Sequence, residues 1–194
     1  APGFFDEVCY TGTGATLTVN HNLGVEPELI IIKSRSNAVN WTVGCKYLPD
    51  GWSNPFSQVM YLNTTAASAQ QGYIHTATST SFKVAAVNNV GASSYTYVSY
   101  LFASCPGVSK VGTYTGNGST QTINCGFAAG SRFVMIKRTD STGDWYVWDS
   151  ARGIIASNDP HVSLNNANAE VSTDDSVDTD NSGFIVNQDA ATNI

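Results

Sequence analysis

The sequence predicts an all-β protein built as two tandem antiparallel β-sandwich modules, of jelly-roll or immunoglobulin-like type. Three observations predict it. First, the chain repeats itself: Tyr10-Thr11-Gly12-Thr13-Gly14 returns 104 positions later as Tyr114-Thr115-Gly116-Asn117-Gly118, and at that offset Thr18 falls on Thr122, Asn20 on Asn124, Ile32-Lys33 on Ile136-Lys137, Trp41 on Trp145 and Val43 on Val147. A period of about a hundred residues is long enough for each copy to be a small domain of its own. Second, apolar residues alternate with period two, and no sustained helical period or capped apolar face is present. Third, turn signals recur about every eight to twelve residues, the spacing of a sandwich. The copies occupy residues 1–104 and 105–194.

Composition narrows the class. Of the 194 residues, 42% are hydrophobic and 11% aromatic, enough to build cores. Only 12% are charged, against about 25% in an average globular domain. Ser, Thr, Asn and Gly take their place, as on extracellular or virion β-proteins. Nine basic residues with no cluster and a net charge of −6 exclude the footprint of a nucleic-acid binder. No apolar run approaches the length of a membrane span. Cys9, Cys45, Cys105 and Cys125 form no CxxC pair, and none recurs between copies, so they read as free, mostly buried thiols of a protein made in a reducing compartment.

In the first copy, Glu7-Val8-Cys9-Tyr10 reads as a strand. Gly12 and Gly14 supply the backbone freedom of a tight hairpin turn before Thr16 to Val19. The run Glu28 to Lys33 is continuously apolar in its middle, which predicts burial on both faces or a central place in a sheet. Asn40 to Cys45, Val59 to Leu62, Ser81 to Val87 and Tyr95 to Ala103 follow as strands. The last alternates aromatic with small residues, which suits cross-strand packing. Thr64 to Gln71 is small and polar.

The second copy follows the same path through Val111 to Tyr114, Gln121 to Asn124, Arg132 to Lys137 and Asp144 to Trp148. At an offset of 102, Leu164 falls on Leu62, Phe184 on Phe82 and Val186 on Val84. Nothing matches Tyr95 to Ala103, so the second sandwich lacks its last strand. An open sandwich exposes unpaired backbone. The expectation is a slice of a longer tandem array whose missing strand lies further along the chain, or one donated by a neighbouring chain.

Candidate chemistry is sparse. Asp178-Thr179-Asp180-Asn181-Ser182-Gly183 resembles the opening of a calcium loop, with Asp178, Asp180, Ser182 and, at the twelfth position, Asp189 as oxygen donors. Asp stands where such a loop carries Glu, and a strand follows where a helix is usual, so an acidic solvated turn is the competing reading. Asp144, Trp145, Trp148, Asp149 and Arg152 make the densest mixed cluster. Strand alternation points Asp144 and Asp149 to opposite faces, which argues against a glycosidase pair. It leaves Trp145 as core and Asp149 paired with Arg152 in a turn. His21, His75 and His161 are isolated, and no nucleophile–base motif is present. The aromatic residues Trp52, Tyr47, Tyr61 and Tyr73 fall where the copies differ most. Divergent aromatic loops on a repeated scaffold suit recognition of carbohydrate or protein, and equally suit packing of the loop onto its own domain.

The order Y-T-G-N-G (Tyr114 to Gly118), I-x-x-G-F (Ile123 to Phe127), F-V-x-I-K-R (Phe133 to Arg138), W-x-x-x-D-x-x-R-G (Trp145 to Gly153), Leu164-Asn165 and G-F-x-V (Gly183 to Val186) resembles a repeat of marine bacteriophage tail-fibre and virion-appendage proteins. The first copy departs from it after Cys45, where Asp149 to Gly153 has no counterpart. The resemblance implies a non-enzymatic virion structural protein, made in the host cytoplasm without a signal peptide. It implies a homo-oligomer, trimeric in a fibre, that meets other virion proteins and host-surface glycan. A carbohydrate-binding module of a larger adhesin or enzyme is the alternative, and a glycan-cleaving fibre domain stands behind both. No cofactor is implied beyond the calcium candidate.

Overall fold

A computed structural model describes residues 1–48, 58–155, 157–187 and 192. It is all-β and antiparallel, in two compact units: Ala1–Leu62 with Ser68–Cys105, and Asn63–Ala67 with Pro106–Ile194. Among the described residues no helix is long and apolar enough to cross a membrane.

In the first unit, a six-stranded sheet runs in the order β1 (Phe5–Thr11), β9 (Thr96–Phe102), β3 (Leu29–Ser34), β4 (Thr42–Cys45), β5 (Gln58–Tyr61), β6 (Ala69–Gln70). A three-stranded sheet of β2 (Leu17–Asn20), β8 (Ser81–Val84) and β7 (Ile74–Ala77) packs on it. Ile30, Ile32, Tyr97 and Leu101 from the large sheet meet Val19, Ile74, Phe82 and Val84 from the small one in a single core. The apolar run of β3 is explained by its place: it lies between β9 and β4, and Ile30, Ile31 and Ile32 are all buried. Tyr97 is fully buried, and its hydroxyl donates to Asn88 O (2.9 Å) and accepts from Ala92 N (3.0 Å). Tyr10 stacks on it at 5.1 Å.

The second unit pairs β10 (Gln121–Asn124), β15 (Gly183–Val186) and β14 (Val177–Asp180) in one sheet, and β11 (Phe133–Lys137), β12 (Trp145–Asp149) and β13 (His161–Ser163) in another. Val134, Ile136, Trp148, Val177, Phe184 and Val186 form its core.

The duplication is written in the ladders. Leu17↔Val84 and Val19↔Phe82 become Gln121↔Val186 and Ile123↔Phe184. Ile30↔Gly44 and Ile32↔Thr42 become Val134↔Trp148 and Ile136↔Tyr146, and Val43↔Met60 becomes Val147↔Val162. Backbone bonds outside the strands repeat too: His21 N to Thr80 O (2.9 Å) and Cys125 N to Ser182 O (2.8 Å), Leu62 N to Trp41 O (3.0 Å) and Leu164 N to Trp145 O (2.9 Å). Tyr10 Oη donates to Val90 O at 2.7 Å, and Tyr114 Oη to Thr192 O at 2.5 Å. Because one residue of register slip would invert every side chain, such agreement reflects one shared frame.

Three expectations need correction. Gly12 and Gly14 do not close a hairpin. β1 pairs with β9 and β2 with β8, so this turn is a corner between sheets. Gly14 takes φ 73° and Gly118 φ 67°, the left-handed region that suits glycine. At Gly12 a Cβ would lie 2.2 Å from Ala92 O, which is why the corner sits so tightly on the segment before β9. Next, Val111 to Tyr114 is not a strand. Its first-copy counterpart is β1, whose pairing partner is β9, and among the described residues the second unit has no β9. Last, of the four free thiols only Cys45 is buried.

Candidate functional site

The first unit brings together part of the aromatic set. Tyr61 ends β5 and Tyr73 precedes β7, and their hydroxyls approach to 3.5 Å. Burial pushes the Tyr61 phenol well above its ordinary range, and the bond to Tyr73 adds to the shift. Tyr73 also packs on the core of its unit. Tyr47 stands elsewhere. Tyr61 is paired with Thr42 at the start of β4, and Tyr47 lies in the turn after that strand's other end, beyond a strand about 10 Å long at ~3.3 Å per residue. The Tyr47 hydroxyl donates to Glu28 Oε1 at 2.7 Å, and that bond, with some burial, pushes its pKa up to about 12. Glu28 Oε2 accepts from Ser104 N (2.8 Å) and from the Ser104 hydroxyl, so this carboxylate ties Tyr47 to the exit of β9. Trp52 lies outside the described residues.

The calcium-loop candidates take up a hairpin. Asp178 and Asp180 lie on β14, Asn181 and Ser182 make the turn, and Gly183 opens β15. Asp180 Oδ1 accepts from Ser182 N (2.8 Å) and Ser182 Oγ (2.6 Å), and these bonds hold its carboxyl below the usual range. Asp189 lies outside the described residues. Asp178 instead joins Asp159 and Asp175, with one carboxylate oxygen of each within 4.8 Å of the others. N–H donors serve all three. Asp159 is fully buried and accepts from Ile155 N (3.2 Å), Ser176 N (3.2 Å) and Val177 N (3.1 Å). Its burial raises the carboxyl to about 6 against the pull of those bonds. Asn187 Nδ2 bridges Asp175 Oδ1 (2.5 Å) and Asp178 Oδ2 (2.9 Å). The amide thus stands between the carboxylates and disperses their repulsion. Two separate segments build this cluster, Asp159 from one and Asp175 with Asp178 from the other, so local spacing could not bring Asp159 to it.

The mixed cluster around Trp145 separates by role. Trp145 is buried, on the face of β12 opposite Trp148. Asp144 accepts from Asn165 Nδ2 (2.7 Å), Asn166 Nδ2 (3.2 Å) and Ser163 Oγ (3.3 Å). Asp149 caps its turn through Ala151 N and Arg152 N (both 2.9 Å), pairs with the Arg152 guanidinium, and Arg152 Nε reaches Glu170 at 3.0 Å. Trp148 is fully buried beside His161 (5.1 Å between rings), and its indole N–H donates to Ser176 Oγ at 3.2 Å. His161 Nδ1 lies 3.3 Å from Asp174 Oδ1.

Fold and sites together define a duplicated antiparallel β-sandwich protein in which Asp144, Asp149 and Asp159 are engaged by hydrogen bonds from their own unit. Residues 2–193 match the family described as a domain of unknown function (DUF7483), and the chain belongs to that family. One family domain therefore spans both copies, so the duplication lies inside the family's unit. No curated protein and no solved structure matches the chain.

Proposed function

We propose that the protein is a non-enzymatic structural module of a bacteriophage virion, of the tail-fibre or surface-appendage kind, that contributes to host-surface attachment. The observation that carries this reading is the duplicated frame: two sandwiches with one ladder register, which is how an extended appendage is assembled from a compact unit. The neutral exterior, with 12% charged residues, supports it. So does the engagement of Asp144, Asp149 and Asp159 in turns and caps, which gives these carboxylates structural work. The module works as a trimer beside other virion proteins. Mass spectrometry of purified virions with antibody labelling in electron micrographs tests the placement. Labelled appendages are expected, and absence of the chain from particles that package normally refutes it.

A second reading, a carbohydrate-binding module, is favoured by the paired phenols of Tyr61 and Tyr73, which give polar edges beside apolar rings. A glycan array separates the two. Saturable binding lost in Tyr61→Ala and Tyr73→Ala supports the lectin, and silence across host glycans leaves the structural module.

A further inference from the structure

We propose that Asn117-Gly118 is a self-modification site, where the backbone nitrogen of Gly118 attacks the side-chain amide of Asn117 and converts it, through a succinimide, into isoaspartate and aspartate. The step Asn-Gly occurs once in the sequence, at the corner that repeats between the copies. Both copies build this corner alike. Gly14 and Gly118 take φ 73° and 67°. In the first copy Ala15 N donates to Thr13 Oγ1 at 3.3 Å, and in the second Ser119 N donates to Asn117 Oδ1 at 2.8 Å. The bond is the same and the acceptor differs. A hydroxyl has no electrophilic carbon beside it, whereas the amide oxygen of Asn117 is carried by one, Cγ. The duplication therefore has an inert corner in one unit and a reactive corner in the other.

Three features of the corner favour the reaction. The N–H of Ser119 lies on Oδ1, where negative charge develops as Cγ is attacked, and a donor placed there stabilises that charge. Nucleophile and electrophile are neighbours in the chain, so ring closure needs no bimolecular encounter. Asn117 and Gly118 are exposed, a Cβ on Gly118 would meet nothing within 4 Å, and among the described residues no backbone acceptor holds the Gly118 N–H. Water thus reaches the proton that must leave, and glycine offers no side chain to block the approach. Two other asparagines accept the same bond and lack the rest. Asn124 Oδ1 accepts from Gly126 N at 2.8 Å, but the next nitrogen, Cys125 N, is held by Ser182 O at 2.8 Å. Asn166 Oδ1 accepts from Asn168 N at 3.0 Å, but the residue between them is Ala167, whose methyl crowds the attack.

The chemistry needs hydroxide and water alone. Hydroxide takes the Gly118 amide proton. The nitrogen bonds to Asn117 Cγ, the bond from Cγ to Nδ2 breaks, and Nδ2 takes a proton from water and leaves as ammonia. Water then opens the ring. Attack at Cγ breaks its bond to the Gly118 nitrogen and leaves aspartate. Attack at the main-chain carbonyl carbon of residue 117 breaks that carbon's bond to the same nitrogen and leaves isoaspartate, with one extra methylene in the backbone. Either product adds one negative charge to a chain of net charge −6. The change marks the second unit, spares the first, and is independent of the virion reading.

The test holds the full chain at mildly alkaline pH, one sample folded and one unfolded in urea, and follows residue 117 by peptide mapping with electron-transfer fragmentation, which separates isoaspartate from aspartate. Both products should accumulate in the folded chain within about tenfold of the unfolded rate, because ring closure is intramolecular in both states. Conversion at residue 117 should be at least tenfold faster than at Asn124 or Asn166 and should quicken as pH rises. Asn117→Thr, which installs the first copy's residue, should keep the near-ultraviolet signature of the tryptophans and abolish the products. An intact Asn117 in the folded chain while the unfolded chain reacts would overturn the proposal, since the fold would then protect the step. Equal conversion at Asn124 or Asn166 would also overturn it.

Discussion

Replacing Trp148 with Ala tests what fills the second core. Trp148 is fully buried and occupies the position of Gly44 in the repeat. A buried indole removes roughly 200 Å² from water, which at ~25 cal/mol per Å² is about 5 kcal/mol as an upper value. Measured Trp→Ala losses in cores run about 3–5 kcal/mol, because the cavity relaxes only partly. The Nε1–H to Ser176 Oγ bond adds about 1 kcal/mol, since Ser176 Oγ is left buried. A loss of about 4 kcal/mol is therefore expected. A unit of this size has about 5–13 kcal/mol at its disposal, so the loss takes a third or more of it. Urea unfolding, followed by near-ultraviolet circular dichroism of the remaining tryptophans and by a midpoint for each unit, reads it out. The midpoint of the second unit should fall while that of the first stays. Leu164→Ala, at a position 46% exposed, should change stability by less than about 0.5 kcal/mol. A Trp148→Ala loss below about 1 kcal/mol would refute the core assignment.

Four more outcomes follow from the same geometry. Tyr10→Phe and Tyr114→Phe delete the same hydroxyl-to-carbonyl bond in each copy. Each should cost about 1 kcal/mol in its own unit only, read as separate urea midpoints. Thr42→Val should stabilise the first unit by about 1 kcal/mol, because the Thr42 hydroxyl is buried with no hydrogen-bond partner among the described residues; a destabilised variant in thermal melts contradicts this. Gly183→Ala should prevent β15 from closing on β10, since the new Cβ would lie 2.1 Å from Ile123 O; a natively folded second unit by exchange would count against the register. Asp159 is an acid whose folded pKa, about 6, lies above its unfolded value. Its contribution is therefore largest below pH 4, declines as pH rises toward 6, and is flat above. The stability difference between wild type and Asp159→Asn, measured from pH 4 to 8, should shrink over that window and then level off; a difference that grows with pH reverses the sign.

Much of the frame was legible because the duplication acts as an internal ruler. Phe184 falling on Phe82 and Val147 on Val43 anticipate the ladder pairs without any knowledge of strand order. β3 was legible from its apolar run, since a central strand is buried on both faces. Other features were hidden for physical reasons. β6 is two exposed residues, Ala69 and Gln70, and owes its existence to pairing with β5. Residues 111–114 carry the same strand-like letters as β1, yet a strand needs a partner, and among the described residues no strand takes the place of β9 in the second unit. The corner at Gly12 reads as a hairpin because glycine spacing encodes a tight turn and says nothing of which sheet the chain enters next. Among candidate sites, Asp180 and Ser182 were read at the right turn, but their bonds to each other depend on the hairpin. Asp159, the most buried of the acids, carries no local motif, because Ile155, Ser176 and Val177 reach it from two separate segments. Tyr61 and Tyr73 were singled out by divergence between the copies, and folding brings them to one place, whereas Tyr47 is drawn to Glu28.

The account's central claim is that the second unit keeps the first unit's frame, and that among the described residues β11 pairs with β12 alone where β3 pairs with both β4 and β9, which leaves the backbone groups of Phe133, Met135 and Lys137 on the unpaired edge. Residue-resolved hydrogen exchange of the free chain tests this most directly. Val134 and Ile136 should be protected as strongly as Ile30 and Ile32, while Phe133, Met135 and Lys137 should exchange at least a hundredfold faster than Leu29, Ile31 and Lys33. Equal protection of the two odd-numbered sets in the free chain would contradict it.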